Sequence, residues 1–146
     1  MKVRFVIPGP PKGKGRPRFA RVGNYVRTYT PENTEQYEEL IRWAYKQARG
    51  GKFEKDVPID VRVFAYYPIP ESASKKKKGA MIDQILRPTK KPDFDNVGKC
   101  VADAINKIAY HDDAQIVDFQ FRKFYSVNPR VVVVMQDALP ITGPVE

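Results

Sequence analysis

The longest apolar run of the chain, Val131 to Met135, constrains the fold more than any other segment. Five residues are far too few to cross a bilayer, which takes about 20 apolar residues in a helix. The run is rich in valine and follows turn-forming residues at 127–130, so it predicts a returning β-strand. The chain of 146 residues is 42% hydrophobic, which is typical of a single folded globular domain.

The rest of the chain alternates between strand-like and helix-like patterns. Alternating or β-branched segments predict strands at residues 2–7, 25–29, 59–67 and 114–126. Apolar residues at helical spacing predict two main helices, at about residues 31–49 and 96–108. These elements predict an α+β fold: a single compact domain with a small mixed or antiparallel sheet packed against two main helices.

Capping residues indicate where the two helices begin and end. Thr30 is suited to cap the first helix, with Pro31 at its first position, and the glycine pair 50–51 is suited to end it. Asp95 or Asn96 is the expected N-cap of the second helix, because both have side-chain oxygens that accept from backbone amides.

We expect one domain over residues 1–137 and a frayed tail over residues 138–146. Residues 72–86 are expected to form a lysine-rich helix or a mobile lobe. Three charged segments divide the domain: a basic, proline- and glycine-rich loop at 8–24, a lysine-rich lobe at 71–91 and an acidic segment at 91–116.

Several kinds of protein are excluded by simple counts. The N-terminal apolar stretch, Phe5 to Ile7, is too short for a signal-peptide core, so the chain is expected to be cytoplasmic. One cysteine, Cys100, and one histidine exclude an intrachain disulfide and a four-ligand Cys/His zinc site. The glycine and lysine spacing of "GPPKGKGR" does not match a P-loop, and no small-molecule cofactor is expected.

A net charge of +9 indicates an anionic partner, with nucleic acid the first choice. Residues 1–30 hold eight Lys and Arg and no acid, and residues 71–91 hold seven against two acids. The alternative is a solvated charged surface with no partner. The candidate nucleic-acid contacts are Lys12, Lys14, Arg16, Arg18, Lys75, Lys76, Lys90 and Lys91.

An acidic segment lies between these basic segments. Asp93 and Asp95 are two residues apart, so in an extended segment both carboxylates point to the same side. Such a pair of hard oxygen ligands suits Mg²⁺, or Mn²⁺ as a substitute. The alternative interpretation is that Asp95 only caps the helix.

Three more residues extend the candidate site. Lys99 follows Asp95 by four residues and is expected near both aspartates, where it would stabilise the charge of a transition state. The turn after the helix would bring back Asp112 or Asp113 as a third ligand, unless this turn is only solvated. A metal held by these acids would orient a phosphate and activate water, which is phosphodiesterase chemistry.

The segment "KPDFDNVGKCVADAINKIAYHDDAQI", residues 91–116, resembles the signature of the RusA-type Holliday junction resolvases of bacteria and their phages. The shared order is Lys-Pro-Asp-x-Asp-Asn, a lysine four residues after the second Asp, Asp-Ala-Ile-Asn, and Asp-Asp-x-Gln-Ile. "GKGRPR" and "PIPESASKKKK" are also similar to members from Gram-positive bacteria and their prophages. The resemblance covers roughly residues 3–137. Lys107 stands where many relatives have glycine, which concerns the shape of the turn.

The resemblance implies a small Mg²⁺-dependent homodimer that cuts four-way DNA junctions by paired, symmetric nicks in recombination and repair. It implies that Asp93 and Asp95 are metal ligands and that Lys99 is an essential lysine. It makes Asp113 the third acid and metal ligand, with Asp112 beside it as a further catalytic candidate. Two other functions stay open: a non-catalytic protein that binds branched DNA, and a nuclease for flaps, forks or RNA-containing duplexes.

Overall fold

The computed structural model describes residues 1–15, 18–29 and 32–140 and has an α+β fold. Its strands are β1 Lys2–Pro8, β2 Arg18–Val22, β3 Tyr25–Tyr29, β4 Ile59–Pro68, β5 Ile116–Ser126 and β6 Arg130–Asp137. Its helices are α1 Glu32–Gln47, α2 Lys75–Ile82 and α3 Phe94–Ala104, and a short 3₁₀ helix spans Asp113–Gln115. The predicted fold class is confirmed, and the homodimer stays a prediction.

The valine-rich strand β6 lies in the interior of a four-stranded mixed sheet with the order β1-β6-β4-β5. It pairs antiparallel with both β1 and β4, whereas β4 and β5 run parallel. The side chains of Val131, Val133 and Met135 are fully buried on one face, and Val132 on the other is 6% exposed. The chain does return after the turn at 127–130, but β4 lies between β5 and β6, so the two strands form no hairpin.

Helices α1 and α3 pack against the sheet and form the core with it. Alternate residues of β4, from Ile59 to Tyr67, are buried. Helix α1 contacts β1 and α3, and α3 contacts β5. The helices contribute Tyr37, Ile41, Ala44, Tyr45, Val97, Cys100, Val101 and Ala104 to the core. This packing places the start of α3 beside the end of β4, where the Tyr67 hydroxyl donates to the Pro92 carbonyl.

Helix α3 begins and ends earlier than predicted. Its N-cap is Asp93, with φ −71° and ψ 156°, so the prediction of Asp95 or Asn96 was wrong. Aspartate is a favourable N-cap, and the chain enters the helix directly after the first one available. The helix ends at Ala104, before the predicted 108, because Lys107 has a left-handed φ of 69° that a right-handed helix does not contain.

Helix α1 ends at Gln47, slightly before the predicted position. Arg49 has the left-handed conformation, with φ 54°, so the helix is already broken before the glycine pair begins. Gly50 is needed for a different reason, because a Cβ there would collide with the ring of Tyr45. The predicted start at residues 30–31 lies outside the described part of the chain.

Strands β2 and β3 form a hairpin, partly inside the segment predicted to be a loop. The prolines of that segment all precede residue 18, and residues 18–22 contain neither proline nor glycine. The hairpin turns at Gly23 and Asn24, where Gly23 has the positive φ of 60° that a two-residue turn requires. The loop prediction was therefore wrong for residues 18–22.

The lysine-rich lobe contains α2, which decides between the two predictions for residues 72–86 in favour of a helix. Ser74 caps this helix, since its Oγ accepts from the Lys77 amide at 3.2 Å. In the expected tail, residues 138–140 are neither helix nor strand, and 141–146 lie outside the described residues. No helix in the described ranges has the length and apolar character needed to span a membrane.

Cys100 provides a test of how α3 packs. Its side chain is fully buried, and burial raises the pKa of the thiol to about 12. The thiol therefore stays protonated at about pH 8, whereas an ordinary cysteine with a pKa of about 8.5 forms reactive thiolate there. We expect Ellman's reagent to modify Cys100 only after unfolding in guanidinium. Equal rates of modification with and without denaturant, with Cys100→Ala as the blank, would contradict this packing.

Candidate active site

Two exposed carboxylates mark the beginning of α3. Asp93 is the N-cap residue, yet its side chain accepts no capping hydrogen bond, and Asp95 lies in the first turn. The ion pairs found among the described residues use other carboxylates: Glu38, Asp60, Asp103 and Asp137. Within the described structure, Asp93 and Asp95 are therefore open to an external cation. Their negative charge is also favoured by the helix dipole.

Lys99 lies one turn after Asp95 on the same side of α3. Both side chains are exposed and line a shallow cleft of about 280 Å³ with Phe94, Gly98 and Phe119. The strand β5 approaches α3 closely here, because a Cβ on Gly98 would lie 2.9 Å from the Phe119 ring. The structure thus places Asp95 and Lys99 in one cleft.

Phe94 and Phe119 were not predicted as site residues. Phe94 is 61% exposed and Phe119 is 43% exposed, although both are large and apolar. The available signal was the position of Phe94 between two aspartates, where a purely structural phenylalanine would have little to pack against. These rings give the cleft beside Asp95 an apolar wall.

A larger cleft of about 760 Å³ brings the basic loop to the acidic segment. Its walls are residues 11–14 of the loop, Asn33 and Thr34 at the start of α1, and the segment from Lys91 to Asp93 with Asn96. Lys12 and Lys91, both exposed, therefore line the same cavity as the Asp93 carboxylate. Two segments of opposite charge that are far apart in sequence meet here.

The basic loop is held against α3 by backbone contacts. The Lys14 amide donates to the Asn96 carbonyl at 3.2 Å, and the Gly15 amide donates to Thr34 Oγ1 at 2.9 Å. Gly13 allows the close approach, because a Cβ there would lie 3.0 Å from the Asn96 Cβ. The loop is therefore anchored to both helices on either side of the cleft.

Lys14 differs from the other predicted contact residues because its charge is used inside the protein. Its ammonium lies 2.6 Å from an Asp103 oxygen and 3.6 Å from a Glu38 oxygen. Burial lowers the pKa of Lys14, but the hydrogen bond and charge of Asp103 and the charge of Glu38 outweigh it, so the pKa is raised. Lys14 thus ties the loop to α1 and α3, and its charge is already paired.

Four of the remaining residues that were predicted to contact nucleic acid are exposed at the surface. Lys75 and Lys76 are exposed at the start of α2, and Lys90 and Lys91 are exposed before α3. Arg16 lies outside the described residues. Arg18 begins β2, but the direction of its side chain is not described.

Asp112 and Asp113 have different surroundings although they are neighbours. Asp112 belongs to a capping box: its Oδ1 accepts from the Ala114 amide at 2.9 Å, and Gln115 Oε1 accepts from the Asp112 amide at 3.1 Å. The Ala114 hydrogen bond lowers the pKa of Asp112. The neighbouring Asp112 carboxylate, partial burial and the charge of Asp103 raise the pKa of Asp113. Asp112 is thus engaged in the turn, whereas the Asp113 carboxylate accepts no hydrogen bond from a main-chain amide among the described residues.

The three predicted metal ligands do not form one cluster within the chain. Among the described residues, no three His, Cys, Asp or Glu side chains are close enough to hold one metal ion. Asp113 lies directly before β5, whose first residue Ile116 pairs with Ile59 at the start of β4, whereas Tyr67 near the other end of β4 holds Pro92 next to Asp93. Asp93 and Asp95 therefore lie toward one end of the sheet and Asp113 toward the other.

Comparison with known proteins identifies the family of this chain. The family model for endodeoxyribonuclease RusA matches residues 8–136. The chain belongs to the RusA family. Both aspartates, Lys99 and the cleft-lining lysines lie within the matched range of this RusA-family chain. The family match confirms the resemblance to RusA that the acidic segment indicated, and it assigns this chain to a family of endodeoxyribonucleases.

A second comparison finds a bacterial relative of similar length. The protein named "Uncharacterized protein YqaN", from Bacillus subtilis (strain 168), is 36% identical over 137 residues. The match covers 92% of this chain and 96% of the relative. The similarity to this relative therefore extends over nearly the whole RusA-family chain.

The cleft contains two exposed lysines, Lys12 and Lys91, and one paired lysine, Lys14, and this difference leads to a prediction about DNA binding. Replacing Lys12 and Lys91 with methionine should flatten the slope of log K against log salt by ~2, because each lysine that neutralises a phosphate contributes about 0.9 to that slope. Junction binding without divalent metal, measured by fluorescence anisotropy over a salt series, tests this.

Lys14→Met is the matched control for that experiment. It should leave the slope unchanged but lower the free energy of unfolding by about 1–3 kcal/mol, because the partly buried Asp103 loses its partner, whereas Glu38 keeps Arg42. If the Lys12 and Lys91 variants leave the slope unchanged, these residues do not contact phosphate.

Proposed function

We propose that the protein is a Mg²⁺-dependent, structure-selective endodeoxyribonuclease that resolves four-way DNA junctions by paired, symmetric nicks. The observation that carries this proposal is the pair Asp93 and Asp95 at the start of α3, which forms no ion pair within the described part of the chain and lies next to a cleft lined by Lys12 and Lys91. Family membership supports the DNA cleavage, and the junction as substrate follows from the resemblance to RusA resolvases.

The carboxylate pair fits the metal that the family implies. Asp93 and Asp95 are hard oxygen donors, both are exposed, and neither is engaged by a cation within the described residues. Mg²⁺ is commonly bound by one or two carboxylates, together with waters and substrate phosphate. When bound, the ion supplies a nucleophilic hydroxide and positive charge at the scissile phosphate.

The basic residues around the pair bind and orient the DNA in this proposal. Lys12 and Lys91 hold backbone phosphates on the cleft side of Asp93. Lys99, which shares the second cleft with Asp95, donates to the phosphoryl oxygens whose charge increases in the transition state. The exposed rings of Phe94 and Phe119 face the sugars and bases beside this phosphate.

Cleavage of a synthetic four-way junction tests the proposal. Wild-type protein with Mg²⁺ should produce symmetric nicks, and Asp95→Asn should produce none while still binding the junction. Lys99→Met should reduce the single-turnover rate by about 10²–10³-fold, as for loss of one transition-state donor. Absence of nicking by the wild type, or equal nicking by Asp95→Asn, would refute the function. Faster cleavage of flaps or forks would reassign the substrate.

Asp113 enters the proposal as the third acid, supplied by the second copy in a homodimer. Within one chain this residue lies before the start of β5, toward the opposite end of the sheet from Asp93. Resolution needs two cuts related by a two-fold axis, and a C2 dimer provides two equal sites. In such a dimer each aspartate pair is completed by Asp113 of the partner subunit.

Mixed dimers of Asp95→Asn and Asp113→Asn chains distinguish shared sites from separate ones. If each site is shared between two chains, a mixed dimer has one site with both defects and one intact site, and it nicks one strand. If each site belongs to one chain, both sites are defective and no nick forms. Asp112→Asn is the matched control and should retain activity, because asparagine also caps the turn.

A further inference from the structure

We propose that Tyr67 and Lys123 are positioning residues that hold the backbone in front of Asp93 and thereby place its carboxylate for metal binding. This inference rests on the proposed function, in which Asp93 is a metal ligand. Both residues belong to the sheet, whereas Asp93 belongs to the connection that precedes α3. Neither residue was predicted from the sequence as part of the site.

The two side chains donate to alternate carbonyl groups of one short segment. Tyr67 Oη donates to the Pro92 carbonyl at 2.5 Å, and Lys123 Nζ donates to the Lys90 carbonyl at 2.7 Å. These carbonyls lie on either side of Lys91 and directly before Asp93. Two hydrogen bonds at this spacing fix both the position of the segment and the direction in which it enters α3.

The donors come from the rigid part of the fold and support each other. Tyr67 is 1% exposed near the end of β4, and Lys123 of β5 lies opposite Ala65 in the parallel pairing. The Lys123 ammonium lies 4.6 Å from the centre of the Tyr67 ring, which is the geometry of a cation–π contact. Tyr67 and Lys123 together form a clamp on the segment from Lys90 to Pro92, and this clamp joins two neighbouring strands to the site.

The clamp holds the backbone of the segment and leaves the carboxylate open. In the described structure Lys123 forms no ion pair with Asp93, although the charge of Asp93 is close enough to affect its pKa. Burial lowers the pKa of Lys123, and the Asp93 charge partly opposes this effect. Burial is the main cause that raises the pKa of Tyr67 to about 12, and the charge of Asp93 adds to it. The Tyr67 hydroxyl therefore remains a donor at neutral pH.

Folding stability alone does not account for a lysine at this position. A partly buried ammonium is costly to desolvate, and lysine is rarely buried without a carboxylate partner. Lys123 instead donates to a main-chain oxygen next to the candidate metal ligand. The hydrogen bond to Lys90 and the contact with the Tyr67 ring are the interactions that hold this ammonium beside the segment before Asp93.

Calorimetric titration of the DNA-free protein with Mn²⁺ or Mg²⁺ tests this inference. Tyr67→Phe and Lys123→Met should each weaken metal binding by about tenfold, the lower end of the effect of removing an outer-shell partner. Raising the Mg²⁺ concentration should then restore junction cleavage, while junction affinity without metal stays unchanged. Lys123→Arg, which keeps a donor, should recover part of the affinity.

Tyr45→Phe is the matched control, because Tyr45 is another buried tyrosine whose hydroxyl donates to a carbonyl, that of Gly51. It should reduce the free energy of unfolding as much as Tyr67→Phe but leave metal affinity unchanged. Wild-type affinity in Tyr67→Phe and Lys123→Met, with none in Asp93→Asn, would overturn the clamp alone. A wild-type protein that binds no metal in this titration but nicks junctions with Mg²⁺ would overturn the clamp alone, whereas one that neither binds metal nor nicks would overturn both the clamp and the proposed function.

Discussion

The parallel pairing of β4 with β5 is the constraint on which the candidate site depends. Antiparallel neighbours can be joined by a two-residue turn, but parallel strands need a long crossover connection. Here that connection runs from residue 69 to residue 115 and contains α2, α3 and all of the candidate acids. A single crossover, held at each end by the same strand pair, therefore contains all of the candidate metal ligands.

The same pairing explains why the acids separate within one chain. The start of β5 lies beside the start of β4, with Ile116 opposite Ile59, whereas Tyr67 near the other end of β4 holds Pro92. The crossover therefore begins at one end of the sheet and finishes at the opposite end. Asp93 lies in the middle of the crossover in sequence but is held beside the end of β4, where the crossover begins, whereas Asp113 lies directly before β5, where it finishes. The proposal that Asp113 of another copy completes the site follows from this separation.

The type of most elements could be predicted from the sequence, but their partners could not. Alternation and β-branched residues identify β4 and β6, yet these signals are the same whether a strand pairs in parallel or antiparallel. These signals therefore did not predict the parallel alignment of β5 with β4, or the separation of Asp113 from Asp93 that follows from it. The N-cap was missed for a similar reason, because Asp93 and Asp95 are equally good caps and only tertiary packing decides between them.

The charges of the site were only partly visible in the sequence. Lys12 and Lys14 look alike there, and both line the cleft, yet Lys14 pairs with Asp103 and Glu38 whereas Lys12 is exposed and forms no ion pair among the described residues. At the start of α3, Asp93 shares its cleft with Lys12 and Lys91, and Asp95 shares its cleft with Lys99. The three lysines already exceed the two carboxylates by one charge, and a bound divalent cation would raise this positive charge further. A basic protein can therefore keep two exposed acids in this region without giving it a net negative charge, and a bound metal would reverse the local field of the acids themselves.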